Sequence, residues 1–409
     1  MAADHGTGGL QRELGRQYGG TAFRPGLRYR LARWVQSGVN RLHGRDGQQL
    51  LCPADRGPAP EAHPDELRSP AADAPGSFVL YRILGNDLVP RHRPGQHLQN
   101  VEFILDNEPE LAGCEKCWVI NRIVDPDQEA ALIERIERAG QRYLHIPFDW
   151  DEYARVGWDT DGLPDPDFLR SRTFRLLGRK EQALTRLRLY RHKNNYVMNN
   201  NGARNAALAD GRRRARWTLP WDGNCFLNAL AWADLRTRMT AFGEARYGIV
   251  PMQRLVDNHR ALEIDTPFGA SEEPQILFRH DALEWFDEAH PYGRWPKADL
   301  LCRLGVPGRW NYWIRRPWDL PVPDYSPEAG QFVEAGWVMR LFSGERRCEI
   351  ASQYASRHRN RVRAEAVLSF IDQLDHEVGN GRHHPATAQP RDDTPSRTTA
   401  GAQAAGVAK

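Results

Sequence analysis

Residues able to do chemistry are concentrated in the stretch 199–227, NNNGARNAALADGRRRARWTLPWDGNCFL. Asp222 closes a short apolar run, 215–220, and is followed by Gly223 and Asn224. A carboxylate at the end of a buried strand, with a glycine that lets a ligand approach, suits a divalent metal and a diphosphate. The same residues also fit a plain Asp-Gly turn between strands. Upstream, Asn199, Asn200, Asn201 and Gly202 fit a loop or a helix start, because Asn side chains cap free N–H groups. The run 203–209 forms helix readily, and Gly211 ends it.

The elements that must position these groups begin at residue 77. The apolar run 78–84 (FVLYRIL) predicts a buried strand leading into Gly85-Asn86-Asp87. Helix at 98–111, strand at 117–123, helix at 127–139 and strand at 142–148 follow. Alternation of this kind requires crossover connections, so the fold class is α/β with a mostly parallel sheet flanked by helices. Ligands of such sheets sit outside the carboxyl ends of the strands. By that rule Arg82, Asn86, Asp87 and Asn121 are candidate contacts for a bound ligand, although Arg82 and Asp87 also fit an internal ion pair. The stretch 149–178 reads as a long loop, and 180–190 as helix. Beyond Asp222 the pattern predicts helix at 229–242, strands at 247–254 and 275–279, and helical pieces at 281–288 and 297–304. Residues 305–323, rich in Trp and Pro, read as irregular. Ser326-Pro327-Glu328 is a good helix start, so helices are expected over 327–342 and 346–377.

The remaining segments differ in composition. Residues 1–26 are Gly-rich and polar and read as disordered. Residues 27–44 have apolar positions at helical spacing with Arg28, Arg30, Arg33 and Arg41 around them. They form a basic helix that either lies peripherally on an anionic membrane surface or packs on its own domain. Residues 45–76 read as a linker, 77–315 as the main domain, 316–379 as a helical extension and 380–409 as a polar disordered tail. The net charge of +3 implies no polyanion partner and argues against nucleic acid. Six cysteines in 409 residues are too few for a disulfide scaffold and point to a reducing cytoplasm. Cys114 and Cys117 form a lone C-x-x-C without a second pair at zinc spacing. No long apolar run predicts a membrane span, and the N-terminus has no apolar signal region.

The whole order resembles the GT-A glycosyltransferases, the nucleotide-diphospho-sugar transferase fold. The resemblance is carried by Gly202-Ala203-Arg204-Asn205, the helix after it, and the apolar strand ending in Asp222-Gly223-Asn224. Many members show a Gly-x-Ala-Arg-Asn stretch, a helix and then Asp-x-Asp, at a spacing this chain keeps. A second match, at Phe278-Arg279, Phe286-Asp287-Glu288, Tyr292-Gly293 and Asp299-Leu300 to Arg303-Leu304, resembles the acceptor-side segment. Together the matches span residues 78–310.

The resemblance implies transfer of a sugar from a nucleotide-diphosphate donor to a saccharide, lipid-linked or protein acceptor. It implies Mn²⁺ or Mg²⁺ on Asp222 and Asn224, Arg204 on the diphosphate, and Asn205 and Asn224 near the sugar. The motif reads Asp-Gly-Asn, so its second ligand is an amide with less charge to offer a hard cation. Where related chains carry a Glu-Asp pair supplying the base, this chain has Pro296-Lys297, so Asp287, Glu288 or Asp299 must supply it. Arg294 and Lys297 read either as phosphate ligands or as surface residues. Two other readings share these features: a sugar nucleotidyltransferase, and a catalytically inactive binding scaffold.

Overall fold

The apolar run 78–84 forms the central strand of the fold. In the computed structural model, residues 76–159, 166–242, 244–265, 272–312, 319–344, 348 and 353–379 are described. The segments expected at 1–26, 27–44 and 380–409, and nearly all of the linker 45–76, lie outside them. Strand β1 (Phe78–Leu84) is buried at six of its seven positions and half-buried at Ile83, as expected of a parallel strand covered on both faces.

The chain then runs through α1 (Gln96–Asn107), β2 (Cys114–Asn121), α2 (Pro126–Arg138) and β3 (Arg142–Ile146). Helix α2 starts where Asp125 accepts hydrogen bonds from the amides of Asp127 and Gln128, with Pro126 at its first position. The stretch read as a long loop holds α3 (Trp150–Arg155), a 3-10 turn at Pro166–Arg170 and α4 (Arg172–Leu176). Next come α5 (Arg179–Leu189), α6 (Arg191–Met198) and α7 (Asn200–Gly211). Asn199 sits between the last two at φ +42°, a left-handed residue that turns one helix into the next. The expected loop at 199–202 is therefore a single residue wide.

Strand β4 (Trp217–Asp222) pairs in parallel with β1, placing Ile83 opposite Asp222. After β5 (Cys225–Phe226) and α8 (Ala229–Ala241), Pro251 splits the expected strand 247–254 into β6 (Tyr247–Val250) and β7 (Met252–Arg254). Strand β8 (Gln275–Arg279) and α9 (Ala298–Arg303) follow, and then β9 (Phe332–Glu334), β10 (Val338–Arg340) and α10 (Gln353–Gly379). The main sheet has the order β3-β2-β1-β4-β8-β6-β9; β8 is antiparallel to both of its neighbours and the other pairs are parallel. A small sheet, β5-β10-β7, lies beside it.

Two expected helices are absent. Residues 327–342 carry β9 and β10 instead, because Gly330 (φ +83°) and Gly336 (φ +59°) break the run. A Cβ on Gly336 would lie 2.7 Å from Leu235 Cα, so no other residue fits that turn against α8 unless the helix moves. Ser326 caps one turn only, its hydroxyl accepting from the Glu328 amide. Residues 281–288 are irregular because side chains take up their backbone groups. Asn205 bonds both the amide and the carbonyl of Phe286, and Arg212 donates to the Glu284 carbonyl.

The core has apolar layers on both faces of the sheet, anchored by the buried Trp118, Trp217 and Trp221. Helix α10 packs Ala366, Val367, Ile371 and Leu374 against Tyr153 and Val197. Tyr153 Oη donates to Asp375 at 2.7 Å, and Lys193 pairs with the same carboxylate at 2.5 Å. Cys114 and Cys117 lie three apart on β2, so their side chains leave opposite faces of the sheet. Both are free, and burial pushes each thiol up to about 12. Among the described residues no helix is long and apolar enough to cross a membrane.

Candidate active site

Chain order places a switch point beside β1. The chain moves outward from β1 through β2 to β3, then returns to lay β4 on the other side of β1. Helices leave the two sides on opposite faces, and a crevice opens at the carboxyl ends between them. A cleft of about 720 Å³ lies there, lined by Ile83, Gly85 and Asn86 after β1, by Asn121 after β2 and by Asp222, Gly223 and Asn224 after β4. Its size suits a drug-sized or nucleotide-sized ligand.

Asp222 is the hub. Arg204 Nη2 donates to its Oδ1 at 2.7 Å, Gln275 Nε2 donates to its Oδ2 at 3.0 Å, and Lys297 Nζ lies 3.7 Å from Oδ2. Burial would push this carboxyl up; Lys297, Arg204 and Arg340 outweigh it and hold it well below the usual carboxylate range. Three cations thus face one carboxylate. Glu272 repeats the pattern at the cleft wall: against the effect of burial, Arg254, Arg340 and Arg359 hold it well below its ordinary range.

The asparagine-rich motif positions this hub. Asn199 Nδ2 donates to Asn121 Oδ1 at 2.9 Å, tying the helix junction to the end of β2. Asn201 Nδ2 donates to the carbonyls of Asp287 and Pro296 at 2.7 and 2.6 Å, and its Oδ1 accepts from Arg204 at 2.9 Å. One side chain therefore fixes both Arg204 and the loop that delivers Lys297. The sequence suggests an asparagine cap at this helix start, but no side chain caps it, and Asn201 is instead committed to these tertiary bonds. The unused signal is three consecutive Asn at the head of an Ala-rich helix, more amide than one cap needs.

The expected residues are distributed as follows. Asn86, Asn121, Arg204, Asp222 and Asn224 line the cleft. Asn86 is also a brace, bonding the Arg122 carbonyl and the Val124 amide at 2.8 Å each. Asn121 Nδ2 donates to the Met198 carbonyl at 2.9 Å. Asn224 Nδ2 is turned to the Leu341 carbonyl and Ser343 Oγ, at 3.2 and 3.3 Å. Arg82 is not at the cleft. It is fully buried beneath the sheet, paired with Glu108, bonded to the Cys225 carbonyl at 2.8 Å and stacked over Trp118. Asp87 lies just behind the wall, 2.8 Å from His97 Nδ1. Asn205 stitches α7 to residues 286–288 and does not line the cleft.

The three carboxylates expected to supply a base do not line the cleft either. Asp287 is exposed and accepts from the Ala289 amide, and Glu288 accepts from Asn205. Asp299 is buried between Arg303 at 2.9 Å and His290 at 3.1 Å. Among the described residues the lining carboxylates are Asp222, Glu272 and Glu273. Glu273 is half-buried at the entry to β8, and no hydrogen bond or ion pair to a described residue engages it. Its signal in the sequence is the Glu272-Glu273 pair one residue before the strand at 275–279.

Two groups bring three metal-type ligand atoms within 4.8 Å of one another: Asp87, His92 and His97 at the cleft, and Asp287, His290 and Asp299 beyond it. In the first, burial, His97 and nearby arginines pull His92 well below its ordinary value, so its ring is neutral. His92 Nδ1 accepts from the Leu88 amide at 3.1 Å. Neither group contains Asp222 or Asn224.

Seven cations line the cleft. Arg204, Lys297 and Arg340 stand around Asp222, Arg359 stands at Glu272, and Arg294, Arg357 and Arg363 complete the wall. Arg294 is paired with Asp319 just outside the lining, through Nε at 3.1 Å, so against three lining carboxylates the surplus is three positive charges, histidines aside. Such a cleft is complementary to a multiply charged anion. No protein-family profile matches the chain, and no curated protein is significantly similar to it.

Proposed function

We propose that this protein is a glycosyltransferase that moves a sugar from a nucleotide-diphosphate donor to an acceptor hydroxyl. The observation that carries the reading is a cation-rich cleft at the switch point between β1 and β4, with Asp222 at its centre. A nucleotide-sized volume at that position suits a nucleotide ligand. A surplus of positive charge lining the cleft suits a diphosphate, whose negative charge grows as its bond to the sugar breaks. The Gly-Ala-Arg-Asn helix and the strand ending in Asp222 are the features that carry the resemblance to GT-A enzymes.

In the reaction the acceptor oxygen forms a bond to the anomeric carbon. The bond from that carbon to the β-phosphate oxygen breaks, and its electron pair leaves with the diphosphate. The acceptor proton passes to Glu273, the half-buried carboxylate of the cleft that keeps a free acceptor face. Asp222 serves as the anchor that holds Arg204 and Lys297 in the cleft.

The test is thermal shift against UDP-, GDP- and dTDP-sugars, with CMP-sugars as a monophosphate comparison, followed by nucleoside diphosphate release with candidate acceptors. A ligand bound to the folded state alone raises the melting temperature. One nucleotide class should do so, and Glu273→Gln should keep that shift while lowering turnover by about 10²- to 10⁴-fold. No shift with any nucleotide sugar, with or without Mn²⁺, would refute the reading.

A further inference from the structure

The hub around Asp222 does not fit a divalent cation. Both of its oxygens already receive cationic or amide donors, from Arg204 and from Gln275 with Lys297 close by. The second residue of the expected pair, Asn224, has turned its amide nitrogen to Leu341 and Ser343. A dication at Asp222 would meet one negative charge and three positive ones, with Arg340 as the third. Hard cations are held by sites with surplus carboxylate, and here the surplus has the opposite sign.

The same groups satisfy the needs of a diphosphate. Lys297 is 4 % exposed and arrives on a loop fixed by Asn201. Arg340 reaches the cleft from the end of β10, and Arg363 reaches it from α10 while stacked over Tyr292. The Nε atoms of Arg340 and Arg363 are buried and have no hydrogen-bond partner among the described residues. Buried donors of this kind are costly unless something accepts from them. Phosphate oxygens are strong acceptors for guanidinium groups and can take two donors at once.

We infer that Lys297, Arg340 and Arg363 take the place of a metal ion and neutralise the leaving diphosphate directly, so that donor binding needs no divalent cation. The inference rests on the transferase reading for the identity of its ligand, but its anion site can be probed without a nucleotide. Lys297 delivers a compact charge next to Asp222, and the two arginines deliver directional donors. Because β10 and α10 lie after residue 337, the C-terminal part of the chain completes the site.

The experiment is calorimetric titration of the full chain with inorganic pyrophosphate in EDTA, and again with Mn²⁺ or Mg²⁺ in place of the chelator. Binding in EDTA is expected, weakened about 10- to 100-fold in Lys297→Met and in Arg340→Met, as for loss of one charge-assisted contact. Arg363→Met changes a half-buried side chain and serves if the other two variants fail to fold. Binding that appears only with the metal would overturn the inference while leaving the transferase reading intact. Absence of binding in both conditions, or unchanged affinity in all folded variants, would overturn it as well. Pyrophosphate binding in EDTA with no preference for any nucleoside diphosphate would sustain the anion site and count against the transferase reading.

Discussion

Replacing Arg82 by Met separates a structural from a ligand-binding reading of the first strand. The Arg82 guanidinium is 1 % exposed, and its partner Glu108 is fully buried. The substitution leaves Glu108 with Lys116 at 3.0 Å and the Leu227 amide at 2.9 Å, and strips the Cys225 carbonyl of its donor. Breaking a buried pair by removing one partner costs about 3–5 kcal/mol, and the orphaned carbonyl adds about 1 kcal/mol. The retained Lys116 offsets part of this, so a loss of about 3 kcal/mol is expected. In urea, with a slope of about 3 kcal/mol/M for a domain of this size, the midpoint should fall by about 1 M. The double variant Arg82→Met, Glu108→Leu removes the stranded charge and should regain more than half of the loss. Nucleotide affinity, compared under conditions where each variant is folded, should be unchanged. A stability within about 1 kcal/mol of wild type, together with weakened nucleotide binding, would refute this account and return Arg82 to the ligand site.

Three further outcomes follow from the geometry. Asp222 and Glu272 both have folded carboxyl groups held below their unfolded range. Their stabilisation is complete above pH ~4 and is lost as pH falls further. The gap in urea midpoint between wild type and Asp222→Asn should therefore close as pH drops from 5 toward 2; a gap that widens would contradict the sign. Gly223→Ala would place a Cβ 2.4 Å from the Ile83 carbonyl oxygen and 2.7 Å from Leu84 Cδ2, forcing β1 and β4 apart at the cleft. A loss of about 1–3 kcal/mol is expected in denaturant titration, and a neutral effect would show that the strand ends yield. Asn201→Ala frees the carbonyls of Asp287 and Pro296, so pyrophosphate affinity should fall along with ~1–3 kcal/mol of stability; unchanged affinity would show that Lys297 is positioned without it.

The parallel half of the fold was legible because its strands are buried on both faces. Runs such as 78–84 and 117–121 read as near-continuous apolar segments, and the helices between them carry ordinary caps. The failures have one cause, tertiary partners overriding local pattern. Residues 281–288 have the composition of a helix, yet Asn205 and Arg212 supply hydrogen bonds from another element and release the backbone from a ladder. Residues 327–342 begin with a good helix start, but Glu328 is drawn into the core by Tyr247 and the Leu283 amide. Two left-handed glycines then favour short strands.

The site divides along the same line. Asp222 and Arg204 were legible because a strand end and the helix before it are local features, and the structure joins them at 2.7 Å. Lys297, Arg340, Arg359 and Arg363 lie 75 to 141 positions after Asp222 and reach it only through the folding of later segments. In a chain where Arg outnumbers Lys 51 to five, a single arginine carries no signal of its own. What distinguishes these four is convergence on one cleft with too few carboxylates, a property of the assembled fold. The Asp-Gly-Asn motif and the basic walls are then one feature. An amide in place of a second carboxylate offers a dication one ligand fewer, and it leaves one more of the lining cations uncancelled. A site that neutralises its anion with protein cations gains from that substitution, whereas a metal site loses affinity by it.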